Sequence, residues 1–293
     1  MITIRTATPD DLPQLKELWS KAFGDSEHYI DMFYQKYCEI DKVLVVDEDG
    51  ELNSMANIIT GIEYLMPDGT RLPVGYVYAL GTNPYIQGKG YARQLLAYAD
   101  KFLQEQGYKC MILVPSSPSL HRFFDNLGLS ECFSTRKLEI MSTSLADPVE
   151  GDIITPVLPC EYNEIRESYL TDIPHISYSN ELIQFQQHGS HLAMGDLYKV
   201  QIDGVVGCAA IEYVQRRRLL FKELLLPVDK MMRAVQVAWT ILPATRYHIR
   251  TPAFWEGLPG SYIQSFGMIK WYDRELQQKW GHHQDAYMGL GFD

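Results

Sequence analysis

The sequence predicts an α/β fold of the α+β type, with a mixed sheet, and it divides into two halves. Short apolar segments with strand character alternate along the chain with segments whose apolar residues recur at the 3.6-residue period of a helix. A length of 293 residues suits two domains or one large one. The stretch 142–151 has the composition of a linker. We therefore predict one domain over 1–141, a linker over 142–151 and a second domain over 152–293.

The first domain is predicted to open with a strand, two helices and three strands. Ile2 to Thr6 alternates as a strand, and Thr8 then supplies an N-cap before an acidic first turn, so a helix follows to about Ala22. A second helical stretch runs over 23–37, separated from the first at Gly24. Strands over 42–46 and 52–64 meet at an acidic turn that ends in glycine, which is a hairpin signal, and the next turn leads into a long strand ending at Leu80.

The rest of the first domain alternates between helix and strand. Apolar residues from Ala92 to Leu103 follow the i, i+3, i+4, i+7 spacing of a helix face, and Gly107 ends that helix. A continuous apolar strand over 110–115, a helix over 117–127 and a strand over 132–141 follow. The predicted order is therefore β-α-α-β-β-β-α-β-α-β.

The second domain partly repeats this pattern. Its predicted elements are a strand over 153–158, a helix over 161–169, a hairpin of 198–202 with 205–214, strands over 219–226 and 246–251 with an amphipathic helix between them, and a closing strand over 286–292. The basic residues Arg216, Arg217 and Arg218 are expected to lie in a solvated hairpin turn. The repeat favours a degenerate copy of the first domain, and an unrelated α/β domain is the alternative.

Composition limits the class of protein. The formal net charge is −11, which argues against a general nucleic-acid or anionic-membrane binder, and no apolar run approaches the roughly 20 residues of a membrane span. Five scattered cysteines without a C-x-x-C pair are typical of reduced thiols in a cytoplasmic protein. The histidines of His188-x-x-His191 and His282-His283 have no further ligand set nearby, so we expect them to be structural and the protein to use no metal.

The most informative segment is Gln87-Gly88-Lys89-Gly90-Tyr91-Ala92, which lies between the strand ending at Leu80 and the helix that follows. A glycine loop at a helix N-terminus presents free backbone N–H groups and a favourable dipole to a phosphate. No Asp or Glu occurs from Gly69 to Ala99, as a segment that holds a pyrophosphate requires. The dinucleotide fingerprint fails because Arg93 stands where a small residue is needed, and no Walker loop is present.

The arrangement that fits is [QR]-x-x-G-x-[GA], here Gln87, Gly90 and Ala92, preceded by Thr82-Asn83-Pro84. It resembles the acetyl-CoA pyrophosphate loop of the GNAT superfamily of N-acetyltransferases. The resemblance implies the GNAT fold over 1–141 and acetyl-CoA as co-substrate. The residues that it places on acetyl-CoA are Leu80, Gly81, Thr82, Gln87, Gly88, Lys89, Gly90, Tyr91, Ala92, Ser117 and Phe124. The second domain resembles a further GNAT unit that has lost this loop, because Pro227-Val228-Asp229 stands in its place.

The resemblance also implies catalytic roles. The family binds the acetyl carbonyl with a main-chain N–H of the strand before the loop, which corresponds here to Leu80. The position at which the family commonly has a tyrosine beside the CoA sulfur is Phe124, which cannot donate a proton. Another group or water must then protonate the thiolate; His121 is a conceivable substitute, although a lone helix histidine is more often a solvated surface residue. The glutamate that one branch of the family keeps in the loop strand corresponds to Tyr76.

The acceptor site is expected between that strand and the first two helices. Tyr76 and Tyr78 would form one wall and the stretch with Phe23, Asp25, Glu27 and Tyr29 the other, where carboxylates and ring faces suit an amine cation. The alternative is that Phe23, Ile30, Phe33 and Tyr34 simply pack on the sheet. Glu27 or Asp25, directly or through water, is the predicted proton acceptor.

Three functions remain open at this point. The first is an N-acetyltransferase that moves acetyl from acetyl-CoA to a primary amine by direct attack, with a small-molecule or amino-group acceptor. The second is a non-catalytic acyl-CoA-binding regulatory protein, and the third is a peptidyl or aminoacyl transferase built on tandem GNAT units. The sequence leaves the acceptor and the oligomeric state undetermined.

Overall fold

The computed structural model describes residues 1–281 and 286–293. The chain forms two compact units, each assembled from segments that are not contiguous in sequence. The first unit contains Met1–Glu63, Leu72–Ser130 and the stretch from Met268, and the second contains Tyr64–Arg71, Glu131–Gly267 and the stretch that leads to Asp293. These units do not correspond to two consecutive stretches of sequence, so the predicted domain boundary over 142–151 remains a prediction.

The regular elements of residues 1–141 follow the predicted order. They are β1 (Ile2–Thr6), α1 (Leu12–Phe23), α2 (Glu27–Lys36), β2 (Val43–Glu48), β3 (Glu51–Leu65), β4 (Arg71–Thr82), α3 (Tyr91–Glu105), β5 (Cys110–Leu113), α4 (Pro118–Asp125) and β6 (Ser130–Met141).

The later elements depart further from the prediction. They are β7 (Ile153–Pro156), α5 (Pro159–Leu170), β8 (His175–Tyr178), α6 (Asn180–Leu192), β9 (Asp196–Ile202), β10 (Val205–Gln215), β11 (Arg218–Leu225), α7 (Val228–Ile241), β12 (Arg246–Pro252), β13 (Tyr262–Trp271) and α8 (Arg274–Trp280). The sequence did not predict β8, α6, β13 or α8. The predicted closing strand over 286–292 is wrong: this segment contributes only isolated bridges at Ala286 and Tyr287.

In the first unit the strand order is β1-β2-β3-β4-β5, followed by the last four residues of β13. Met268 to Trp271 pair antiparallel with Leu113 to Cys110. The strand that follows α4 in sequence, β6, instead lies almost wholly in the second unit, where Thr135–Met141 pair antiparallel with β12. The second unit continues as β12-β11-β10-β9-β7. The sheet of each unit thus includes a strand from the other half of the sequence.

Helix α3 packs closely on β4 and so fixes the loop between them. Its buried residues recur at helical spacing: Tyr91, Leu95, Leu96, Ala99 and Leu103. A fully buried leucine contributes about 1.5–3 kcal/mol. A Cβ on Gly75 of β4 would lie 2.3 Å from a methyl group of Leu103, so a glycine is needed for this approach.

Several other expectations can be compared with the structure. The five cysteines, all within the described residues, form no disulfide bond. Arg216 and Arg217 lie in the turn between β10 and β11. His191 Nε2 lies 3.0 Å from Asp196 Oδ1, whereas His282 and His283 lie outside the described residues. Within 1–281 and 286–293, no helix has both the length and the apolar character needed to cross a bilayer.

Candidate functional site

The site is centred on the place where β4 and β5 separate. The two strands are parallel, and the register that joins them runs only from Val74↔Cys110 to Tyr76↔Ile112. Strand β4 continues for six more residues to Thr82. On this side of β4 the backbone after Tyr76 therefore faces an opening rather than β5. Leu80, the predicted donor to the acetyl carbonyl, lies in this stretch.

Ala79 interrupts the regular geometry of β4 immediately before Leu80. Its φ is +46°, in the left-handed region, a conformation that costs a residue with a Cβ about 1–2 kcal/mol. Such outliers re-aim the backbone groups that follow them and cluster at ligand sites. The sequence carries no signal for this feature, because alanine has no preference for positive φ.

Side chains from β3 and α1 hold the end of β4 in place. Ser54 Oγ donates to the Gly81 carbonyl at 2.8 Å and lies 2.9 Å from Thr82 Oγ1. A Cβ on Gly81 would lie 2.9 Å from the Phe23 ring, so this glycine permits close packing against the end of α1. The backbone predicted to bind acetyl-CoA is thus fixed on its other side.

The glycine loop has the geometry that a phosphate cradle requires. Gly88 and Gly90 adopt φ of +88° and +79°, and an added Cβ at either position would meet no atom within 4 Å. The conformation rather than internal crowding therefore calls for glycine. Helix α3 begins at Tyr91, and the first intrahelical bond reaches the Gly90 carbonyl from Gln94. The amides of the first helical turn consequently have no acceptor within the helix.

Glu48, at the end of β2, is a residue of this region that the sequence did not indicate. Its Oε2 accepts a hydrogen bond from Tyr91 Oη at 2.7 Å and lies 3.6 Å from Lys89 Nζ. The sequence from Gly69 to Ala99 has no carboxylate side chain, but the fold brings one from β2. Because the Tyr91 side chain is buried and bonded to Glu48, only its backbone amide is available for the predicted role.

The two predicted walls of the acceptor site meet in an aromatic cluster. Tyr29 Oη of α2 and Tyr78 Oη of β4 are 2.6 Å apart. Burial raises the pKa of Tyr78 well above its ordinary value, so this phenol stays protonated at neutral pH. At the centre is Trp19, whose ring lies 5.0–6.3 Å from five other rings, those of Phe23, Tyr29, Phe33, Tyr34 and Tyr78.

Trp19 was not predicted as a site residue, although its spacing from Leu15 and Leu18 places it on the apolar face of α1. The packing interpretation holds for Ile30, Phe33 and Tyr34, which are buried on α2. Tyr76 is also buried, and its ring lies 5.9 Å from that of Tyr78.

The remaining predicted residues differ in their surroundings. Asp25 Oδ2 accepts the indole N–H of Trp19 at 2.8 Å, and Phe23 keeps 44% of its surface exposed. Glu27 is exposed, and no described residue makes a hydrogen bond or ion pair with its carboxylate. Ser117 precedes α4 and its Oγ lies 3.0 Å from that of Ser119, whereas Phe124 is buried. Contacts of Ser117 and Phe124 with acetyl-CoA remain predictions.

The comparisons with known proteins address the fold. Residues 3–126 match a family model described as an acetyltransferase (GNAT) domain. A GCN5-related N-acetyltransferase from Anabaena variabilis superposes with a TM-score of 0.69 at 16% identity, covering 94% of this chain and 74% of that one. A probable N-acyltransferase from Enterococcus faecalis gives 0.70 at 11% identity, over 92% and 73%.

A tandem GNAT protein from the clavulanic acid biosynthesis pathway gives a TM-score of 0.55 at 12% identity and covers 92% of this chain and 98% of that one. A search of curated protein sequences finds no match. Identities this low carry the fold alone. The predicted mixed α/β fold and the resemblance that the glycine loop indicated are confirmed.

Proposed function

We propose that this chain, in which residues 3–126 constitute a GNAT acetyltransferase domain, transfers an acetyl group from acetyl-CoA to a primary amine. The observation that supports this most strongly is the combination of an open β4 edge with a glycine loop at the start of α3. The first can bind an extended thioester arm through its backbone, and the second can bind the pyrophosphate at the other end of that arm. The five cysteines, none of which is in a disulfide bond, favour a cytoplasmic location.

Binding of acetyl-CoA would rest mainly on backbone groups. The amides from Gly88 to Ala92 would bind the pyrophosphate, with the positive end of the α3 dipole behind them. Gly81 and Thr82 would hydrogen-bond the pantetheine arm, and Gln87 and Lys89 would flank the phosphates. Ser117 and Phe124 would line the far side of the arm.

The reaction is direct attack. The neutral amine nitrogen bonds to the thioester carbonyl carbon, the carbon–sulfur bond breaks, and the nitrogen loses a proton while the thiolate gains one. The Leu80 amide would donate to the carbonyl oxygen as negative charge grows there, and one such donor is worth about 2.7–4 kcal/mol in the transition state. Glu27, directly or through water, would take the proton from the amine, and Tyr76 would help to orient it.

The acceptor class follows from which part of the aromatic wall reaches solvent. Trp19, Phe33 and Tyr34 are buried, whereas Phe23 and Glu27 are exposed. An exposed ring beside exposed carboxylate attracts an ammonium group, with a cation–π contribution of about 0.5–2 kcal/mol. The acceptor would therefore be the amino group of a small molecule or of a flexible chain end, held as the cation until it loses its proton.

The deciding experiment measures thiol release from acetyl-CoA over a panel of amines, with CoA affinity measured in parallel by calorimetry. An acetyltransferase releases thiol in proportion to one class of amine. Tight CoA binding without thiol release from any amine would instead support the acyl-CoA-binding regulatory protein. The buried Phe124 at the usual tyrosine position favours this alternative. Failure to bind CoA at all would remove both proposals.

A further inference from the structure

The second unit repeats the element order of the first. The order β7, α5, α6, β9 to β11, α7, β12 matches the order β1, α1, α2, β2 to β4, α3, β5. The difference is strand β8, which lies between α5 and α6. Strands β11 and β12 are parallel, and their register ends at Phe221↔Ile249, as that of β4 and β5 ends at Tyr76↔Ile112. The residues directly after Phe221 therefore correspond to the stretch of β4 that carries Tyr78.

Two buried charges occupy this stretch. The register between β10 and β11 shifts there, so that Ile211 opposes Phe221 and Ala210 opposes Glu223, which leaves Lys222 as the extra residue. Lys222 is 5% exposed and Glu223 is fully buried. Buried charges are stable only when they are paired.

Glu223 finds its partners on α5, which corresponds to α1. Arg166 Nε lies 3.2 Å from both carboxylate oxygens, and Tyr162 Oη donates to Glu223 Oε2 at 2.7 Å. Lys222 Nζ makes an ion pair with Glu212 of β10 at 3.3 Å and donates a hydrogen bond to the Asp293 carbonyl. The position that holds the acceptor wall in the first unit is thus a polar, charged pocket in the second.

The chain's own residues 286–293 fill this pocket. The segment has almost no regular structure, yet Ala286, Tyr287, Met288, Leu290 and Phe292 are each at most 6% exposed. Tyr178 Oη donates to the carbonyls of Met288 and Leu290, and Arg166 Nη2 donates to that of Met288 at 3.2 Å. Arg250 of β12 makes an ion pair with the Asp293 carboxylate at 2.8 Å.

The fit depends on particular side chains in the segment. A Cβ on Gly289 would lie 2.0 Å from Glu223 Oε1, and its φ is +71°, so no other residue fits without displacement. The Phe292 ring lies 5.2 Å from that of Phe185 and 5.4 Å from that of Tyr178. Recognition therefore uses a glycine, an aromatic ring three residues later, and an adjacent carboxylate.

We propose that the second unit contains a peptide-binding site, at the place that corresponds to the acceptor site of the first unit, and that the 286–293 segment is its intramolecular ligand. The site takes a short peptide of the form Gly-x-x-aromatic-acid through Tyr178, Arg166, Lys222 and Arg250. While the segment is bound, this unit cannot receive an external acceptor. The inference does not depend on acetyl transfer by the first unit.

The test uses a variant that lacks 286–293 and an N-acetylated peptide of those eight residues carrying a fluorophore. The variant should bind the peptide one to one, and a peptide with Gly289→Ala should bind at least tenfold more weakly because its methyl group meets the Glu223 carboxylate. The intact chain should not bind either peptide. The proposal would be overturned if the shortened variant folds but does not bind the peptide, or if the intact chain binds the peptide as tightly as the shortened variant does.

A second variant covers the case in which the shortened chain does not fold. In the full chain, Gly289→Ala should raise hydrogen exchange over 286–293 by at least tenfold and should allow capture of the unmodified peptide. The matched control is Gly204→Ala in the β9–β10 turn, which has φ of +76° and no atom within 4 Å of the added Cβ. Equal exchange at 286–293 in both variants would show that the segment is not held by this fit.

Discussion

Replacing Gly90 with Asp separates binding of the pyrophosphate from stability of the fold. An added side chain at Gly90 meets no protein atom within 4 Å, so the only internal cost is the left-handed backbone at φ +79°. That cost is about 1–2 kcal/mol for most residues and smaller for Asp, which tolerates this region. Asp is also a favourable residue at a helix N-cap. The variant should therefore fold.

The effect on acetyl-CoA should be much larger. The new carboxylate would stand in the cradle, roughly 4 Å from a phosphate charge, and repulsion between unit charges at that distance near a protein surface is about 4 kcal/mol. Since each 1.4 kcal/mol is tenfold in affinity, the dissociation constant should rise by about a thousandfold, and even half the repulsion gives about thirtyfold. Calorimetry with CoA measures the affinity and thermal unfolding measures the stability.

Gly107→Asp is the matched control. Gly107 lies just past the other end of α3, with φ of +84° and no atom within 4 Å of the added Cβ, so the backbone cost is similar. A carboxylate there disfavours the helix dipole by only about 0.3–1 kcal/mol. This variant should bind CoA as the unmodified chain does. Two results would refute a pyrophosphate site at the start of α3. One is a CoA dissociation constant of Gly90→Asp within threefold of that of the unmodified chain, and the other is an equal loss of CoA affinity in Gly90→Asp and Gly107→Asp.

Three further outcomes are expected. The Arg5 hydrogen bond lowers the pKa of Asp11 from 3.8 to about 2. The Asp11 carboxylate therefore stabilises the fold above about pH 4, and this stabilisation is lost as the pH falls through 2. Asp11→Asn should lower the free energy of unfolding by about 2 kcal/mol at pH 7, and urea titrations should show a smaller loss of stability at acid pH in the variant. A chain of residues 1–141 lacks the Met268–Trp271 strand beside β5, so circular dichroism and NMR should show no stable fold, and an active fragment would contradict this. Phe124→Tyr should keep CoA affinity within threefold and leave thiol release at least as fast, because the proposed route uses no phenolic acid; a tenfold fall would count against it.

Local pattern was enough to predict most of the first unit and its loop. The period of the apolar residues predicted α3, and glycine next to a helix start predicted the cradle, because both depend on neighbours within one turn. Glu48 could not be predicted as a partner of Tyr91, since β2 and α3 are distant in sequence and come into contact only in the folded chain. Ala79 is a second example: tertiary packing holds a positive φ that its own side chain disfavours.

The second unit was harder to predict for a related reason. A closing strand was predicted over 286–292, but the carbonyls of Met288 and Leu290 accept hydrogen bonds from the Tyr178 and Arg166 side chains instead of from a neighbouring strand. The true strand, β13, has four exposed residues followed by four buried ones, so it lacks the regular alternation that a half-buried strand shows.

The position of β13 beside β5 has a consequence for synthesis on the ribosome. Strand β5 leaves the ribosome about 160 residues before Trp271, its last partner, and at 5–20 residues per second this interval lasts roughly 8–30 s. During that time one edge of β5 has no strand beside it, and an unpaired edge is a template for association with other nascent chains. Slower elongation over the second half of the message should therefore lower the soluble yield, and a chaperone that shields strand edges should restore it.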